Sequence, residues 1–326
     1  MSAAEQIPTV SVGIPVFNGE QFLKGTIEAL LNQSFRDIEV IISDNASTDG
    51  TEAICRAFAE RDSRVRYHRN STNVGPFTNY WRVFELSRGP YFKWNSANDL
   101  CSPDMVERCL KTLQDHPDAV LAYMKTRLVD DDLTALEEYD DRMSIQNDRP
   151  SDRFISYINN IELANALSGV IRSEALRQVR PFGQYRACDI TLMGELVLVG
   201  KFVEIPEFGF MRRMGKETST AHRGAEELRK FYFPGTRRQK RLVFWRLLSE
   251  HFRSVVRADI PMKEKLRLVY FVIGLFRWHR KILWHELVVY TGLSQDDVSA
   301  LSQSTIDVSR RSGKKPMDGR VKGQLL

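Results

Sequence analysis

The chain has 326 residues, of which 42% are hydrophobic, 10% aromatic and 27% charged. This composition excludes a disordered or collagen-like protein and allows one large or two smaller globular domains. The formal net charge is +5, but residues 229–290 hold 15 Lys and Arg against four Asp and Glu, which makes that region +11 and leaves −6 elsewhere. A basic module is therefore joined to a mildly acidic one.

The sequence also argues against secretion and membrane insertion. Its four cysteines have unrelated spacings and form no C-x-x-C motif, which excludes a disulfide scaffold and suits a reducing compartment. Residues 1–8 lack the basic and apolar segments of a secretory signal. The longest apolar run, Leu268 to Phe276, is nine residues long, whereas a membrane-spanning helix needs about 20. We expect a cytoplasmic protein.

The first third of the chain alternates β-rich runs with helical patterns. The predicted strands are 9–16, 38–42, 65–68, 91–94 and 119–123, and the predicted helices are 21–32, 51–60, 77–86 and 105–113. Strands and helices at these short spacings indicate βαβ crossovers. We predict an α/β fold with a mostly parallel central sheet and helices on both faces, and ligands of such sheets bind beyond the carboxyl ends of the strands.

The remainder of the chain divides into three parts. Residues 130–150 are acidic, and we interpret them as a solvated loop, because carboxylates at that density repel one another. Residues 151–222 return to mixed α/β structure, with strands near 167–171 and 202–211 and a helix over 189–198. The predicted organisation is a catalytic domain over 1–222, basic amphipathic helices over 223–293 and a flexible polar tail over 294–326.

Polar residues follow each of the first four predicted strands. Their segments are Pro15-Val16-Phe17-Asn18-Gly19-Glu20, then Ser43-Asp44-Asn45, then Asn73-Val74-Gly75, then Asn95-Ser96-Ala97-Asn98-Asp99. Each segment alone is equally well explained as a turn or a helix cap. At strand ends, however, an aromatic ring with amides suits a planar base, and a carboxylate suits a base imide or a divalent metal.

Together these segments resemble the family-two glycosyltransferases of the A-type fold. The resemblance covers about residues 8–220, and its most specific part is L-L-N-Q-S-F-R-D-I-E-V-I-I-S-D-N-A-S-T-D-G-T, over 30–51. It implies transfer of a sugar, with inversion, from a nucleotide-diphospho-sugar bound across the carboxyl ends of the first four strands. We expect a UDP-linked donor.

The resemblance also implies roles for individual residues in nucleotide binding. Pro15 and Phe17 would flank the base, and Asp44 would bind its imide N–H. Asn73 and Asn98 would contribute to the nucleotide-sugar site.

The residues around the expected metal and diphosphate depart from the family pattern at three positions. Asp99 matches the second aspartate of that motif, but Asn98 replaces the preceding one, and Ser96 stands where a further one is often found. Gly215 replaces a histidine that completes the metal or diphosphate shell. Arg212, Arg213 or Lys216 would then contact phosphate oxygens directly. A solvated strand edge explains the arginine pair equally well. We expect Mn²⁺ or Mg²⁺ to bind weakly and only with the donor.

Asp189 matches the family's base aspartate, which lies just ahead of a helix. Inverting transfer requires a carboxylate that accepts the proton of the attacking hydroxyl, and a helix start favours the anion. The alternative is that Asp189 only caps the helix. Glu195, further along the same helix, is interpreted as a surface or structural residue.

Residues 237–290 combine Leu, Phe and Trp with Arg and Lys, which suits an anionic membrane surface. A helical subdomain packed on the catalytic domain explains the same pattern, and both explanations can hold. The sequence shows no nucleic-acid recognition motif, so we expect no nucleic-acid partner.

The leading interpretation is thus an inverting glycosyltransferase that acts on a glycan or lipid-linked acceptor at the cytoplasmic membrane face. Asn98 and Gly215 keep open a non-catalytic or weakly active sugar-nucleotide-binding protein. A nucleotidyltransferase on a similar sheet is disfavoured, because residues 13–25 contain no glycine-rich phosphate loop followed by lysine.

Overall fold

The alternating strands and helices predicted for the first third of the chain are present in the protein. The structure is a computed structural model that describes residues 7–215, 231–234 and 242–291. The strands are β1 (Val10–Val16), β2 (Ile38–Asp44), β3 (Val65–Arg69), β4 (Tyr91–Trp94), β5 (Leu100–Cys101), β6 (Ala119–Val129), β7 (Ala135–Tyr139), β8 (Val170–Arg172) and β9 (Lys201–Arg213).

All nine strands of the described chain join one sheet in the order β3-β2-β1-β4-β8-β6-β9-β5, with β7 paired to β6. Neighbours among the first four strands pair in parallel. Strand β8 is antiparallel to both β4 and β6, so β6 and its parallel neighbour β9 run in the direction of the first four. Most strands therefore share one direction, which confirms the predicted sheet.

Helices cover both faces of this sheet. They are α1 (Leu23–Leu31), α2 (Thr51–Arg61), α3 (Pro76–Glu85), α4 (Met105–Asp115), α5 (Pro150–Asn160), α6 (Ser173–Gln178), α7 (Cys188–Val199), α8 (Val243–Arg257), α9 (Met262–Trp278) and α10 (Arg280–Thr291). One core packs β1 and β2 against α1, α2 and α4, and the other packs α3, α5, α7, α8 and α9 on the opposite side. This is the predicted two-faced α/β arrangement.

Strand β1 is central because both of its faces are covered. All seven of its residues are buried, as expected for a parallel strand between two helical layers. Gly13 permits the close approach of α3, since a Cβ there would lie only 2.6 Å from Cγ2 of Val83. The helix that follows β3 is thereby held directly against the strand that leads into the candidate site.

The acidic segment 130–150 is not the solvated loop that the sequence predicts. Strand β7 pairs with the end of β6 in a hairpin, and helix α5 begins at Pro150. Most of β7 is exposed and tolerates charge, and Glu138 pairs with Arg127 across the strands. Asp141 instead turns inward and accepts a hydrogen bond from Thr126. Hydrogen bonding of β7 to the end of β6 therefore outweighs the repulsion between these acids.

The C-terminal helices pack against the catalytic part of the chain. Arg180 bridges Glu195 of α7 and Glu250 of α8, so Glu195 has the structural role expected of it. Glu264 of α9 accepts hydrogen bonds from Arg149 and Ser151, at the start of α5. These contacts confirm a helical extension and fix its inner face.

The residues of the apolar run Leu268 to Phe276 are not all buried together. Leu268 and Val272 are buried in the core, whereas Ile273 is exposed. Within the part of the chain that the structure describes, no helix is both long and apolar enough to cross a bilayer. The predicted boundaries near 222 and 293, and the tail over 294–326, lie outside the described residues.

Candidate active site

The carboxyl ends of β1, β2 and β3 meet at one edge of the sheet. The strand register places Val16 beside Asp44 and Asp44 beside Arg69. Pro15 is buried within β1, while the Phe17 ring, just beyond its end, is 42% exposed. Phe17 is thus available to a planar ligand, and Pro15 supports the strand end beneath it.

The loops that follow β1 and β2 are joined by hydrogen bonds. Asn18, at a φ of 52°, receives a 2.9 Å bond from the backbone N–H of Thr48 and donates its own N–H to Ser47 at 2.9 Å. Gly19 N donates to Thr51 Oγ1 at 2.8 Å. Because backbone groups of one loop pair with side chains of the other, the two loops form a single rigid wall.

Asp44 lies at the end of β2 and is fully buried. Its carboxylate accepts hydrogen bonds from Ser47 N at 2.9 Å and from the Tyr67 hydroxyl at 2.8 Å, and it forms an ion pair with Arg69. A buried carboxylate with these partners is held in one orientation. Asp44 therefore has a structural role, and its predicted contact with a base imide remains a prediction.

Four buried or half-buried asparagines connect the loops after β2 and β3. Asn45 donates to Asn73 at 2.8 Å and accepts from Asn70 at 3.0 Å, and Asn70 also donates to Asn79 of α3 at 3.0 Å. The Asn73 side chain additionally accepts the N–H of Gly75 at 2.9 Å. Asn73 thus shapes the loop after β3. The sequence analysis assigned no role to Asn45, Asn70 or Asn79, although Asn45 lies in one of the polar segments that it named.

Arg212 and Arg213 end strand β9, and their side chains differ in environment. Arg213 is buried; its Nε donates to the carbonyl of Asn98 at 2.8 Å and its Nη1 to that of Asp131. Arg212 is half-buried and donates to Asn165. Arg213 therefore ties β9 to the loop after β4, while Arg212 extends into the site.

Asp99 lies opposite these arginines after β4. It is buried, and its Oδ1 accepts the N–H of Arg213 at 3.0 Å. Burial raises the pKa of Asp99, and the Arg212 charge opposes that rise. The Ser96 hydroxyl lies 3.0 Å from that of Tyr80, so a polar group from α3, which the sequence analysis did not identify, borders the motif.

Asp189 occupies the first turn of α7, as predicted. It is half-buried, and its Oδ1 accepts the N–H of Ile190 at 2.9 Å. Burial raises the pKa of Asp189; the Ile190 hydrogen bond and the Arg212 charge oppose that rise. The Arg212 charge opposes the rise in the pKa of both Asp189 and Asp99, and both carboxylates raise the pKa of Tyr80. The two predicted carboxylates therefore lie near the same residues.

Two further residues near Arg212 were missed by the sequence analysis. Burial raises the pKa of Asp141 to about 7, and the Arg212 charge opposes it. Burial also raises the pKa of Tyr232. The Asp189 charge raises it further, and the Arg212 charge lowers it. Tyr232 stacks on Phe77 at the start of α3, with ring centroids 5.4 Å apart. Neither residue lies in a strand-end motif, which is why the pattern did not reveal them.

The space beside Gly215 is filled by Asp131. A Cβ at position 215 would lie 1.7 Å from Asp131 Oδ1, so any side chain there requires Asp131 to move. The histidine expected from the family pattern is thus replaced by a carboxylate from the turn between β6 and β7. Lys216, the third cation proposed for the phosphates, lies outside the described residues.

The described residues do not form a complete cation site. Nowhere in the ranges that the structure describes do three or more His, Cys, Asp or Glu side chains converge on a point where a metal would fit. Asp99 supplies one carboxylate beside neutral Ser96 and Asn98, and the Arg212 charge lies close by. The Arg212 charge suits an anionic diphosphate, whereas a single carboxylate with neutral neighbours is a poor site for a resident divalent metal.

Comparison with known proteins identifies the family. Residues 11–181, slightly more than half of the chain, match the family model described as glycosyl transferase family 2. The chain belongs to this family. The expected resemblance to the family-2 nucleotide-sugar glycosyltransferases is thereby confirmed.

Among curated relatives, EpsH of Bacillus subtilis strain 168, a protein assigned as a glycosyltransferase, is 27% identical over 151 residues. That alignment covers 46% of this glycosyltransferase and 42% of EpsH. The chain spans less than half the length of the first curated relatives it matches.

Solved structures share the fold at low sequence identity. Residues 1–349 of Staphylococcus aureus TarS, in complexes with UDP and with UDP-GlcNAc, match 82% of this glycosyltransferase and 71% and 72% of the TarS chain, with TM-scores of 0.60 and 0.61 and 13% identity. The Pyrobaculum calidifontis mannosyltransferase PcManGT, in complex with GDP-Man and Mn²⁺, matches 93% of this chain and 81% of its own, with a TM-score of 0.51 and 16% identity.

Asp44→Ala and Arg69→Gln distinguish the two roles of Asp44. Each change breaks the ion pair between buried Asp44 and the partly exposed Arg69, and is expected to lower the free energy of unfolding. Only Asp44→Ala removes the acceptor for a base imide, so UDP affinity falls about 10- to 100-fold in that variant alone. Denaturant unfolding and calorimetric titration with UDP measure the two quantities. Equal UDP affinity in both variants would leave Asp44 with its structural role only.

Proposed function

We propose that this glycosyltransferase moves a sugar from a UDP-linked donor to an acceptor hydroxyl with inversion at the anomeric carbon. The observation that carries the proposal is the placement of two carboxylates near the end of β9: Asp99 accepts the N–H of Arg213, and Asp189, in the first turn of α7, is like Asp99 influenced by the Arg212 charge. A cation near a buried carboxylate, Asp99, and a half-buried one, Asp189, is suited to a site that holds both a diphosphate and an acceptor hydroxyl. The UDP and UDP-GlcNAc complexes of TarS support the choice of nucleotide.

In this proposal the donor lies across the ends of β1, β2 and β4. The uracil stacks at Phe17, above Pro15, with its imide N–H toward Asp44, and the Asn73 loop borders the ribose. Asn98 contacts the sugar or its diphosphate. The exposed ring of Phe17 and the rigid loop pairing around Asn18 support this placement.

Arg212 stabilises the leaving group. Negative charge accumulates on the UDP diphosphate as the bond between the anomeric carbon and the phosphate oxygen breaks, and a guanidinium meets two phosphate oxygens at once. Its existing partner, Asn165, orients the guanidinium before the donor arrives. Arg213 was a second candidate for this contact; its carbonyl contacts support a role in holding the Asp99 loop.

Asp189 acts as the general base. The acceptor oxygen bonds to the anomeric carbon on the face opposite UDP, and its proton passes to the Asp189 carboxylate. Burial raises the pKa of Asp189, which makes it a stronger proton acceptor than an exposed aspartate. The alternative role of a helix cap is disfavoured, because the Asp189 Oδ1 bond goes to the adjacent N–H and not to one deeper in the helix.

A divalent metal would contact Asp99 and draw most of its remaining ligands from the donor diphosphate. When bound there, Mn²⁺ or Mg²⁺ would neutralise phosphate charge. The Mn²⁺ in the PcManGT complex supports a metal in this fold. The single carboxylate and the nearby Arg212 support a site that is occupied only together with the nucleotide.

The proposed acceptor is a glycan or a lipid-linked glycan at the cytoplasmic face of a membrane, reached through the basic surface of 237–290. The excess of Lys and Arg in that region supports an anionic partner. A non-catalytic sugar-nucleotide-binding protein is the second candidate, and the incomplete cation site is the observation that favours it.

A turnover assay with UDP-, GDP- and dTDP-sugars tests the proposal against that second candidate. We expect sugar transfer with a UDP-sugar, glycan and lipid-linked acceptors being supplied in parallel, and a product of inverted anomeric configuration by NMR. The GDP-sugars are included because PcManGT was captured with GDP-Man. Saturable binding of the donor without transfer to any acceptor would favour the binding protein.

Asp189→Asn keeps the shape of the side chain and removes its basicity. We expect turnover to fall by about 10²–10⁴ while donor affinity stays within about twofold. Glu174→Gln, a first-turn acid of α6 that is exposed, is the matched control for loss of a helix-terminal charge and should retain parental turnover. Parental turnover in Asp189→Asn would mean that Asp189 only caps the helix.

Calorimetric titration of Mn²⁺ tests the dependence of the metal on the donor. We expect no binding to the protein alone, measurable binding to its UDP complex, and tighter binding after Asn98→Asp, because a second carboxylate offsets the cost of dehydrating the ion. Tight binding to the wild type without nucleotide would contradict this, and would show that Asp131 joins Asp99 in a resident site.

A further inference from the structure

Helix α9 presents a stripe of large apolar side chains to solvent. Met262, Leu266, Tyr270 and Ile273 are 66%, 63%, 79% and 49% exposed. Their spacing of four, four and three residues places them on one side of the helix; together they are called the α9 stripe. Isolated exposed apolar residues are ordinary, but four in line form a continuous patch of the kind that marks an interaction surface.

The opposite side of α9 is fixed to the protein, so the stripe cannot turn inward. Glu264, Leu268 and Val272 are buried on that side. Glu264 is bonded to Arg149 and Ser151, and hydrogen bonds from Ser151 and Arg149 lower the pKa of Glu264 to about 2. This contact therefore persists across the physiological pH range and keeps the α9 stripe exposed.

The charges around the α9 stripe are basic. Lys263, Arg267 and Arg277 are exposed on the same helix. Over 242–291, by contrast, Glu250, Glu264 and Glu286 bond to protein groups: Glu250 to arginines, Glu264 to α5 and Glu286 to the start of α8. Most acids of this region are thus paired within the protein, although Asp259, just before α9, is exposed. Arg267 pairs with Asp152, so Lys263 and Arg277 are the cations considered beside the apolar patch.

Exposed aromatic residues extend this surface. Tyr270 lies within the α9 stripe, and Trp278 and Trp284 are exposed where α9 meets α10. Tyr and Trp combine an apolar ring with a polar edge and are favoured at the boundary between lipid and water. Apolar, aromatic and cationic side chains on one exposed helix are the composition of an interfacial membrane helix.

We propose that the α9 stripe is the part of this protein that docks on an anionic lipid bilayer, with Met262, Leu266, Tyr270 and Ile273 entering the headgroup region and Lys263 and Arg277 contacting lipid phosphates. The inference rests on the membrane association in the proposed function and narrows it to one helix face. It does not involve the residues assigned to sugar transfer. A second copy of the chain is the less suitable occupant, because a two-fold pairing of this face would set its cations against one another.

An environment-sensitive probe on the stripe tests the proposal. Ile273→Cys labelled with the fluorophore NBD should brighten and shift to the blue on vesicles that contain phosphatidylserine, and not on phosphatidylcholine vesicles. The native cysteines Cys55, Cys101, Cys109 and Cys188 are all buried, and burial raises the pKa of Cys55 and Cys109 to about 12, so labelling is confined to the new thiol. Leu136→Cys, on exposed β7, is the matched control and should not respond.

Vesicle co-sedimentation of unlabelled variants supplies the affinities. Replacing Leu266, Tyr270 and Ile273 together by Ser should weaken binding to phosphatidylserine vesicles about 100-fold or more. Lys263→Gln with Arg277→Gln should weaken it about 10- to 30-fold, whereas Lys111→Gln on α4 should have no effect. Raising the salt concentration should also weaken the binding of the wild type to phosphatidylserine vesicles.

Several outcomes would overturn the inference. The first is equal binding to neutral and anionic vesicles, and the second is undiminished binding by the triple Ser variant. The third is a concentration-dependent dimer in analytical ultracentrifugation that the triple variant abolishes, without vesicle binding by the wild type. Donor turnover with a water-soluble acceptor, measured on the same variants, separates failure of docking from failure of the proposed catalysis.

Discussion

The site depends on one cation placed among carboxylates that have been withdrawn from water. Asp99, Asp141 and Asp189 all have pKa values raised by burial, and in each case the Arg212 charge opposes the rise. Without that charge, burial would raise the pKa of each of these three carboxyl groups further. Strand β9 therefore has to deliver Arg212 to this point, and its long pairing with β6 ensures that it does.

The same constraint explains how this chain departs from the pattern of its family. Asn98 contributes no charge, and the space beside Gly215 is taken by the Asp131 carboxylate. Arg213 joins the Asp99 loop to the Asp131 turn through two backbone carbonyls. The region that would surround a metal is thus organised by an arginine and by backbone contacts. In the proposed function, Arg212 therefore contacts the donor diphosphate directly.

The C-terminal helices have one face packed on the protein and, on α9, another face exposed to solvent. Arg180 and Glu264 attach α8 and α9 to the domain that carries Asp189, and Val255, Leu268 and Val272 complete its core. The remaining face of α9 is apolar and basic but faces water. A surface of this kind fits the proposed contact with an anionic bilayer.

Much of the fold and part of the site followed from the sequence, because both reside in local patterns. The period of apolar residues predicted the strands and helices through Tyr123, and the direction of parallel strands predicted that Asp44 and Asp99 would lie at one edge. The tertiary structure decided what depends on distant partners. Arg69 and Tyr67 enclose Asp44, and Asp141 turns inward from an acidic segment that looked solvated. On α9, apolar residues occur around most of the helix, so the sequence alone cannot distinguish the side that packs from the side that is exposed. Contact with α5 and α8 buries Leu268 and Val272, and thereby leaves Leu266, Tyr270 and Ile273 in water.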